Sequence, residues 1–544
     1  MQLTLMTLSP LHIGTGNMLE PFDYYIESQT VYVLNIDMCI EALLDDDPDN
    51  IKRFSKWVDE TSNKIANANE EAKEARRSHN KNLYKDKNQL IASLRGEFNI
   101  VDFTRNILRK PKLADQFIKD PKFQRYHAFI PNRPRNVVQL KEMIKTNNEP
   151  YIPGSSIKGG IRTALAYKVI CQLDESDSEL FLTAQDRKEN GINKILNKPH
   201  RALGRSTNLE ISEENGINKI LKELNEASNQ VLNAIRTNDF VKKKEAFKNL
   251  SNRKRKYEKT IGQYVEKFVF GCEDKKGNLD DPKFDIMRLI RVSDTMTQNV
   301  SMLVAELKSF TKDERRRVFK PQPINITEFI DTDSKFSFSI EVNTQLIRLL
   351  LNRQNVKEWN GFDKKINRLF DINTVTINKM NDTELERHII SKILESIDVF
   401  GHAITEKEKK WLEKFNPQDR KVLDTFLKQI EAQNHSFKLG FGSGWFATTI
   451  GLAIGKNQYL KNILPGIIYT FNLDLIEKND KLLRYPAKKQ DQLKLLQRIP
   501  DGEAFPTSRR LIADQLLPSD YIGWVSLQEG GLDVKTEEKR SENI

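Results

Sequence analysis

Between Tyr151 and Leu165 the chain reads YIPGSSIKGGIRTAL, and few folds accommodate that string. Pro153-Gly154 marks a turn, and Ser155 and Ser156 are residue types that cap a helix start by accepting from free backbone N–H groups. Ile157, Ile161 and Leu165 then recur at i, i+4 and i+8, the apolar stripe of a buried helix face. Lys158 and Arg162 share another face. Gly159 and Gly160 fall in the predicted first turn and weaken it relative to alanine, so something must approach that backbone closely. A helix N-terminus with unpaired N–H groups, two hydroxyls and two cations suits phosphate. The plainer reading is a capped helix with two exposed cations. It is not a nucleotide-hydrolase loop, because Lys158 precedes the glycines and Ile161 follows them.

Net charge follows the same direction. The 544 residues carry 87 Lys and Arg against 76 Asp and Glu, a net +11, with a sequence pI of about 9.1. An anionic partner is expected, nucleic acid before a membrane surface. With 30% charged and 38% apolar residues the chain suits a soluble protein of roughly two to four domains. No apolar run approaches the ~20 residues of a membrane span. Met1-Gln2-Leu3 lacks the positive start of a secretory signal, and a cytoplasmic location is expected. Cys39, Cys171 and Cys272 form neither a disulfide framework nor zinc spacing.

Along the chain, residues 2–8 read as a strand ending at Ser9-Pro10, followed by a glycine loop, Leu11 to Asn17. Tyr24–Glu27 and Val31–Ile36 suggest a hairpin across Ser28-Gln29-Thr30, and a helix is predicted from Asp37 to Leu44. Residues 45–120 form a polar helical insertion whose basic run from Arg76 to Lys87 contains Tyr84. Residues 121–149 look like an irregular, basic approach to the central motif. A second, charged helical insertion spans 174–260; it repeats ENGINKIL at 189–196 and 214–221 and is strongly basic over 240–260. A strand is expected at 286–292, and the alternation of Phe336, Phe338, Ile340 and Val342 marks another at 335–342. Helical patterning returns over 344–434, strands are expected near 466–474 and 521–527, and the tail from Glu529 is polar. This order implies an α+β class. The organisation is a first domain over 1–173, the insertion at 174–260, a second domain over 261–530 and a disordered tail at 531–544.

The second glycine loop, KLGFGSGWF at 438–446, matches a dinucleotide fingerprint from Gly442 to Ala447, but no carboxylate lies near 460–466 to hold a ribose. Flanking Phe441, Trp445 and Phe446 offer either base-stacking surfaces or core. His12 beside the first loop is a general-base candidate without a titrating partner nearby in sequence, which favours a structural histidine. His127, His388, His402 and His435 have no metal spacing, and no nucleophile elbow is present. Asp23 and Asp294 suit turns and caps. No cofactor or metal is expected.

Taken together, LSPLHIGTG at 8–16, YIPGSSIKGGIRTAL at 151–165, IRVSD at 290–294, KLGFGSGWFATTI at 438–450 and FPTSRRLIADQLLPSDYIGWVSL at 505–527 resemble the RAMP superfamily of CRISPR proteins. The likeness is greatest to the capping RAMP subunit of the type III-A (Csm) effector complex. It implies tandem RRM-like, ferredoxin-type domains with glycine-rich loops and helical insertions. It also implies a non-catalytic, RNA-binding role in antiviral defence, holding the 3′ part of the guide RNA (crRNA). Partners would be the guide RNA, target RNA indirectly, and neighbouring RAMP backbone and small helical subunits, with no membrane. The implied RNA contacts are His12, Gly14, Gly16, Ser155, Ser156, Lys158, Gly159, Arg162, Gly440, Gly442 and Gly444, with Arg291, Arg509 and Arg510 as further candidates. Trp445 and Ala447-Thr448-Thr449 depart from the smaller residue and Ser-Lys-Thr run more usual in the family. Two rival readings are a metal-independent endoribonuclease that processes precursor guide RNA with His12 as acid or base, and a basic scaffold that binds no RNA.

Overall fold

A computed structural model describes residues 1–78, 80–131, 139–173, 266–272, 281–296, 300–313, 316–352, 358–457, 508–514 and 516–530, with isolated positions between 226 and 249. The repeated octapeptide, the basic run at 240–260 apart from positions 245 and 249, the strand expected near 466–474 and the tail at 531–544 lie outside the described residues.

Alternation of apolar side chains builds the smaller sheet. Its five strands run in the order Ser436–Lys438, Trp524–Glu529, Gln2–Thr7, Lys335–Val342 and Ile290–Val292, every neighbouring pair antiparallel. The strand at 335–342 has the expected bounds, and Phe336, Phe338, Ile340 and Val342 are all buried. Opposite them Leu3 and Leu5 point the same way, with Val525 and Leu527 from the C-terminal strand. On this face lie the helix Gly154–Gln172, through Ile157, Ile161 and Leu165, and the helix Asp382–Leu412. The periodic stripe read from the sequence is therefore the seam of the main core.

A larger sheet of nine strands runs through Gly14–Leu19, Leu140–Met143, Phe319–Ile330, Met302–Lys312, Gln124–Phe129, Thr30–Leu34 and Tyr24–Glu27; Arg509–Asp514 and Leu517–Asp520 branch from Met302–Lys312. Both sheets draw strands from either side of residues 174–260. The α+β class is as expected. Residues 49–77 and 81–96 form two helices of the first insertion, and Pro111–Lys119 a third. Phe54, Phe103 and Phe117 gather there into a satellite core under Phe22, Tyr25 and Tyr32.

Several boundaries differ from the sequence reading. Half of the first glycine loop is strand, Gly14–Leu19. The stretch 121–149 contains the strands Gln124–Phe129 and Leu140–Met143. Only Ile290–Val292 of the strand expected at 286–292 is extended, since Ile286–Leu289 is a 3-10 turn started by the Asp285 carboxylate accepting from Met287 N–H at 2.8 Å. Glu529 ends a strand rather than starting the tail.

Gly159 and Gly160 lie in the second turn of their helix, and they differ sharply. A Cβ on Gly160 would stand 2.5 Å from the Phe437 ring and 2.7 Å from Leu439, so the glycine is what lets the helix seat against the strand at 436–438. A Cβ on Gly159 meets nothing within 4 Å. Gly160→Ala is expected to destabilise by about 1–3 kcal/mol through overpacking. Gly159→Ala should stabilise by up to about 1 kcal/mol through helix propensity. Urea unfolding of the two variants checks this, and equal effects would contradict it.

Candidate nucleic-acid interface

The start of the central helix is fixed by a segment far away in sequence. Gly154 N–H donates to the Asp294 carboxylate at 2.7 Å, Ile152 N–H donates to Thr295 Oγ1 at 2.8 Å, and Thr295 N–H returns to the Ile152 carbonyl at 3.0 Å. IRVSD therefore clamps the PGSS turn. The serines do not cap the helix as expected: Pro153 holds the cap position without a side-chain bond, and Asp294 supplies the acceptor. Ser155 is left exposed and Ser156 half-buried.

Lys158 and Arg162 do share a face, but they are bound within the chain. Lys158 Nζ donates to the Ile290 carbonyl at 2.7 Å, and its half-burial lowers its pKa against the opposing pull of Asp285. Arg162 pairs with Asp285 at 2.9 Å and Glu266 at 3.7 Å, its guanidinium 4.1 Å from the centre of the Phe270 ring. The open face of the helix start is made of Ser155 and Gly159, with Thr163 Oγ1 donating to the Gly159 carbonyl at 3.0 Å. Arg291 is exposed nearby, on the edge strand Ile290–Val292 and opposite Glu341.

His12 joins the two glycine loops. It is 2% exposed, and Nδ1–H donates to the Glu328 carbonyl at 2.7 Å, the role a ring nitrogen must take toward an acceptor. Phe329 and Phe441 meet the ring edge-on at 6.0 and 5.7 Å. Burial lowers its pKa to about 4, helped by the positive charges of Lys141 and Lys145 and opposed by the Glu328 carbonyl. The His12 carbonyl accepts from Phe441 N–H at 2.8 Å, and a Cβ on Gly440, where φ is 75°, would collide with that same oxygen. Only glycine permits both the left-handed corner and the approach. Gly442 and Gly444 also have positive φ, and Ser443 Oγ donates to the Gly440 carbonyl at 2.8 Å. Gly523 N–H donates to the Pro10 carbonyl at 2.9 Å, and Leu439 N–H to the Gly523 carbonyl at 2.7 Å. The loops read as HIGTG, GFGSG and YIGW are thus one woven junction. Gly14 and Gly16 stand at its outer rim, exposed, Gly14 opposite Met143.

Phe441 crowns the junction. Lys141 Nζ lies 3.7 Å from its ring centre and the Arg510 guanidinium 5.1 Å from it. Arg510 is exposed; Lys141 is half-buried, its pKa lowered by burial and by Arg510. Two cations on one aromatic at a loop of positive-φ glycines suit an anion, with a ring for a base. Arg509 does not belong to it. It is 7% exposed and its Nε sits 2.6 Å from the buried Glu408, so this candidate is a core ion pair. Phe446 is core, and Trp445 packs over Gly451. Lys141 escaped the sequence reading because it lies in the stretch taken as irregular. Its strand pairs it with Met18 beyond the first glycine loop, and that pairing is the signal. Among the described residues no three His, Cys, Asp or Glu side chains could hold a metal, and no helix is long and apolar enough to cross a membrane.

The depressed His12 pKa has a sign. Its contribution is complete above the unfolded value of 6.5 and is lost as pH falls toward about 4, because the unfolded chain takes up the proton first. The span is worth on the order of 3 kcal/mol. Urea unfolding at pH 7 and pH 4.5 should show a larger loss for wild type than for His12→Asn, and an equal loss would contradict the assignment.

The family model of the RAMP superfamily matches residues 4–447. A comparison with the curated proteins finds no match. Among solved structures, a chain of a cryo-EM Csm–crRNA–target RNA ternary complex of a type III-A CRISPR-Cas system is 21% identical with a TM-score of 0.47, over 97% of this chain and 100% of that one. A crystal structure of T. onnurineus Csm5 is likewise 21% identical with a TM-score of 0.47, over 96% and 99%.

Proposed function

The chain belongs to the RAMP superfamily, and from that premise we propose that it is a non-catalytic RNA-binding subunit of a type III-A CRISPR effector complex. In this reading it holds the 3′ part of the guide RNA and caps the filament of RAMP backbone subunits in antiviral defence, as a cytoplasmic ribonucleoprotein. The observation that carries the reading is Phe441 bracketed by Lys141 and Arg510 over a junction of positive-φ glycines. Phosphates meet the cations and the exposed amides of the loop rim, and the ring offers its edge or face to a base. Such contacts hold a backbone without reading sequence. The helix start with Ser155, Gly159 and Arg291 forms a second contact, where an uncrowded glycine lets a ribose-phosphate chain lie against the helix. Lys158 and Arg162 shape that turn through Ile290 and Asp285 and act on RNA through it.

An endoribonuclease built on His12 fits this geometry poorly. The ring is buried, its Nδ1 is committed to the Glu328 carbonyl, and its charged neighbours are lysines rather than a carboxylate.

Filter binding of a guide-like single strand across a salt series tests the proposal. Each neutralised phosphate contributes about −0.7 to the log–log slope. Lys141→Ala with Arg510→Ala should weaken binding at low salt and flatten the slope by roughly 1. Salt-insensitive binding, or an unchanged slope in the double variant, would overturn the role of this surface.

A further inference from the structure

The larger sheet exposes part of its face along the strand Gln124–Phe129. On the strand Gln124–Phe129 the side chains of Arg125, His127 and Phe129 alternate outward, while Ala128 is buried behind them. Phe129 is 48% exposed, unusual for a phenylalanine on a sheet. Register places Thr30 beside Phe129 and Tyr32 beside His127, their two rings 6.5 Å apart. The other neighbour of Phe129 is Leu303, whose own partner is Phe329. Side chains opposite one another share a face, so Phe129, Leu303 and Phe329 form one row about 10 Å long across three strands. Leu303 and Phe441 both pack on the small cluster around Phe329. Exposed Phe129 is therefore joined to the ring that Lys141 and Arg510 bracket through half-buried Leu303 and the fully buried Phe329.

We propose that Phe129 and His127 form a base-stacking platform that continues the single-stranded RNA path from Phe441 along the exposed side of the strand at 124–129, with Tyr32 on the satellite core as its inner wall. This rests on the function proposed above. Aromatics at alternate positions of a strand present flat rings to unstacked bases, and stacking of this kind tolerates any sequence. Local charge agrees. Arg125 pairs with Glu142 at 3.4 Å, but the arginine is 41% exposed and the carboxylate 13%, so the guanidinium faces outward. Tyr25, next to Tyr32 on the neighbouring strand Tyr24–Glu27, is covered by Arg105, whose Nη1 donates to the Tyr25 hydroxyl at 2.8 Å. Exposed Glu27, opposite Thr30, bounds the platform at the outer edge, where it repels phosphate. On the strand itself the exposed charge is the Arg125 guanidinium, which has the sign that RNA requires.

The full chain should be titrated with a long oligouridylate carrying 4-thiouridine and with a short one that spans only the glycine junction. Phe129→Ala should weaken the long RNA about tenfold and leave the short one unchanged. Phe129→Trp should restore the long RNA, and crosslinks should map to the strand at 124–129. Equal affinity of Phe129→Ala and wild type for the long RNA, with no crosslink there, overturns the platform while leaving the junction intact. Failure of wild type to bind either RNA overturns the proposed function and the platform with it. Loss of a co-purifying protein from Phe129→Ala with RNA binding unchanged assigns the strip to a protein partner and also overturns it.

Discussion

The buried imidazole of His12 is the point on which both sheets and all three glycine loops depend. Its ring bonds to the Glu328 backbone of the larger sheet, and its carbonyl accepts from Phe441 in the second glycine loop. Just before it, Leu11 forms a bridge with Ile330, and the chain enters the smaller sheet through Gln2–Thr7. Burying a neutral, singly bonded imidazole between two phenylalanine edges costs little while it stays unprotonated. That cost would rise if it carried charge, and this is why burial holds its pKa down. Glu328, whose carbonyl receives the ring, is itself satisfied through its carboxylate by Tyr126 at 2.8 Å, Met143 N–H at 2.8 Å and Lys145 at 2.5 Å. A buried carboxylate with that many donors is a fixed post rather than a reactive group.

From this post the surface proposed to meet RNA follows by geometry. Gly440 has to be glycine because of the His12 carbonyl, and the corner it makes lifts Phe441 out to where Lys141 and Arg510 reach it. The chemistry on offer is cationic and aromatic, suited to holding a polyanion in place. Buried charges elsewhere do structural work. The pair of Arg509 and Glu408 stands between Trp411 and Phe446, and buried Lys168 reaches out to the exposed Asp371 at 2.7 Å.

How much was legible in the sequence depended on how local the cause was. The stripe Ile157, Ile161, Leu165 and the alternation at 335–342 are short-range patterns, and both predicted burial faithfully. The long hairpin of Met302–Lys312 and Phe319–Ile330 was not legible. A register shift at Leu307/Lys308 breaks its alternation, and Pro321 and Pro323 read as strand breakers. The strand Gln124–Phe129 was hidden because its outward side chains include aromatics, which erases the polar half of the pattern. Partners distant in sequence were invisible by their nature: Asp294 for the helix start, Ile290 and Asp285 for the two cations, and Phe441 for Lys141. Arg509 and Arg510 part company for a local reason. Adjacent residues on one strand point to opposite faces, so one arginine is buried and the other free to meet a ligand.

The central claim is that RNA occupies the surface around Phe441. The most direct measurement is residue-resolved chemical footprinting of the assembled protein–RNA complex, with acylation reporting lysines and phenylglyoxal reporting arginines. The account predicts that saturating RNA protects Lys141 and Arg510 while the buried Arg509 stays unreactive throughout. Full modification of Lys141 and Arg510 in a protein already saturated with RNA would contradict it.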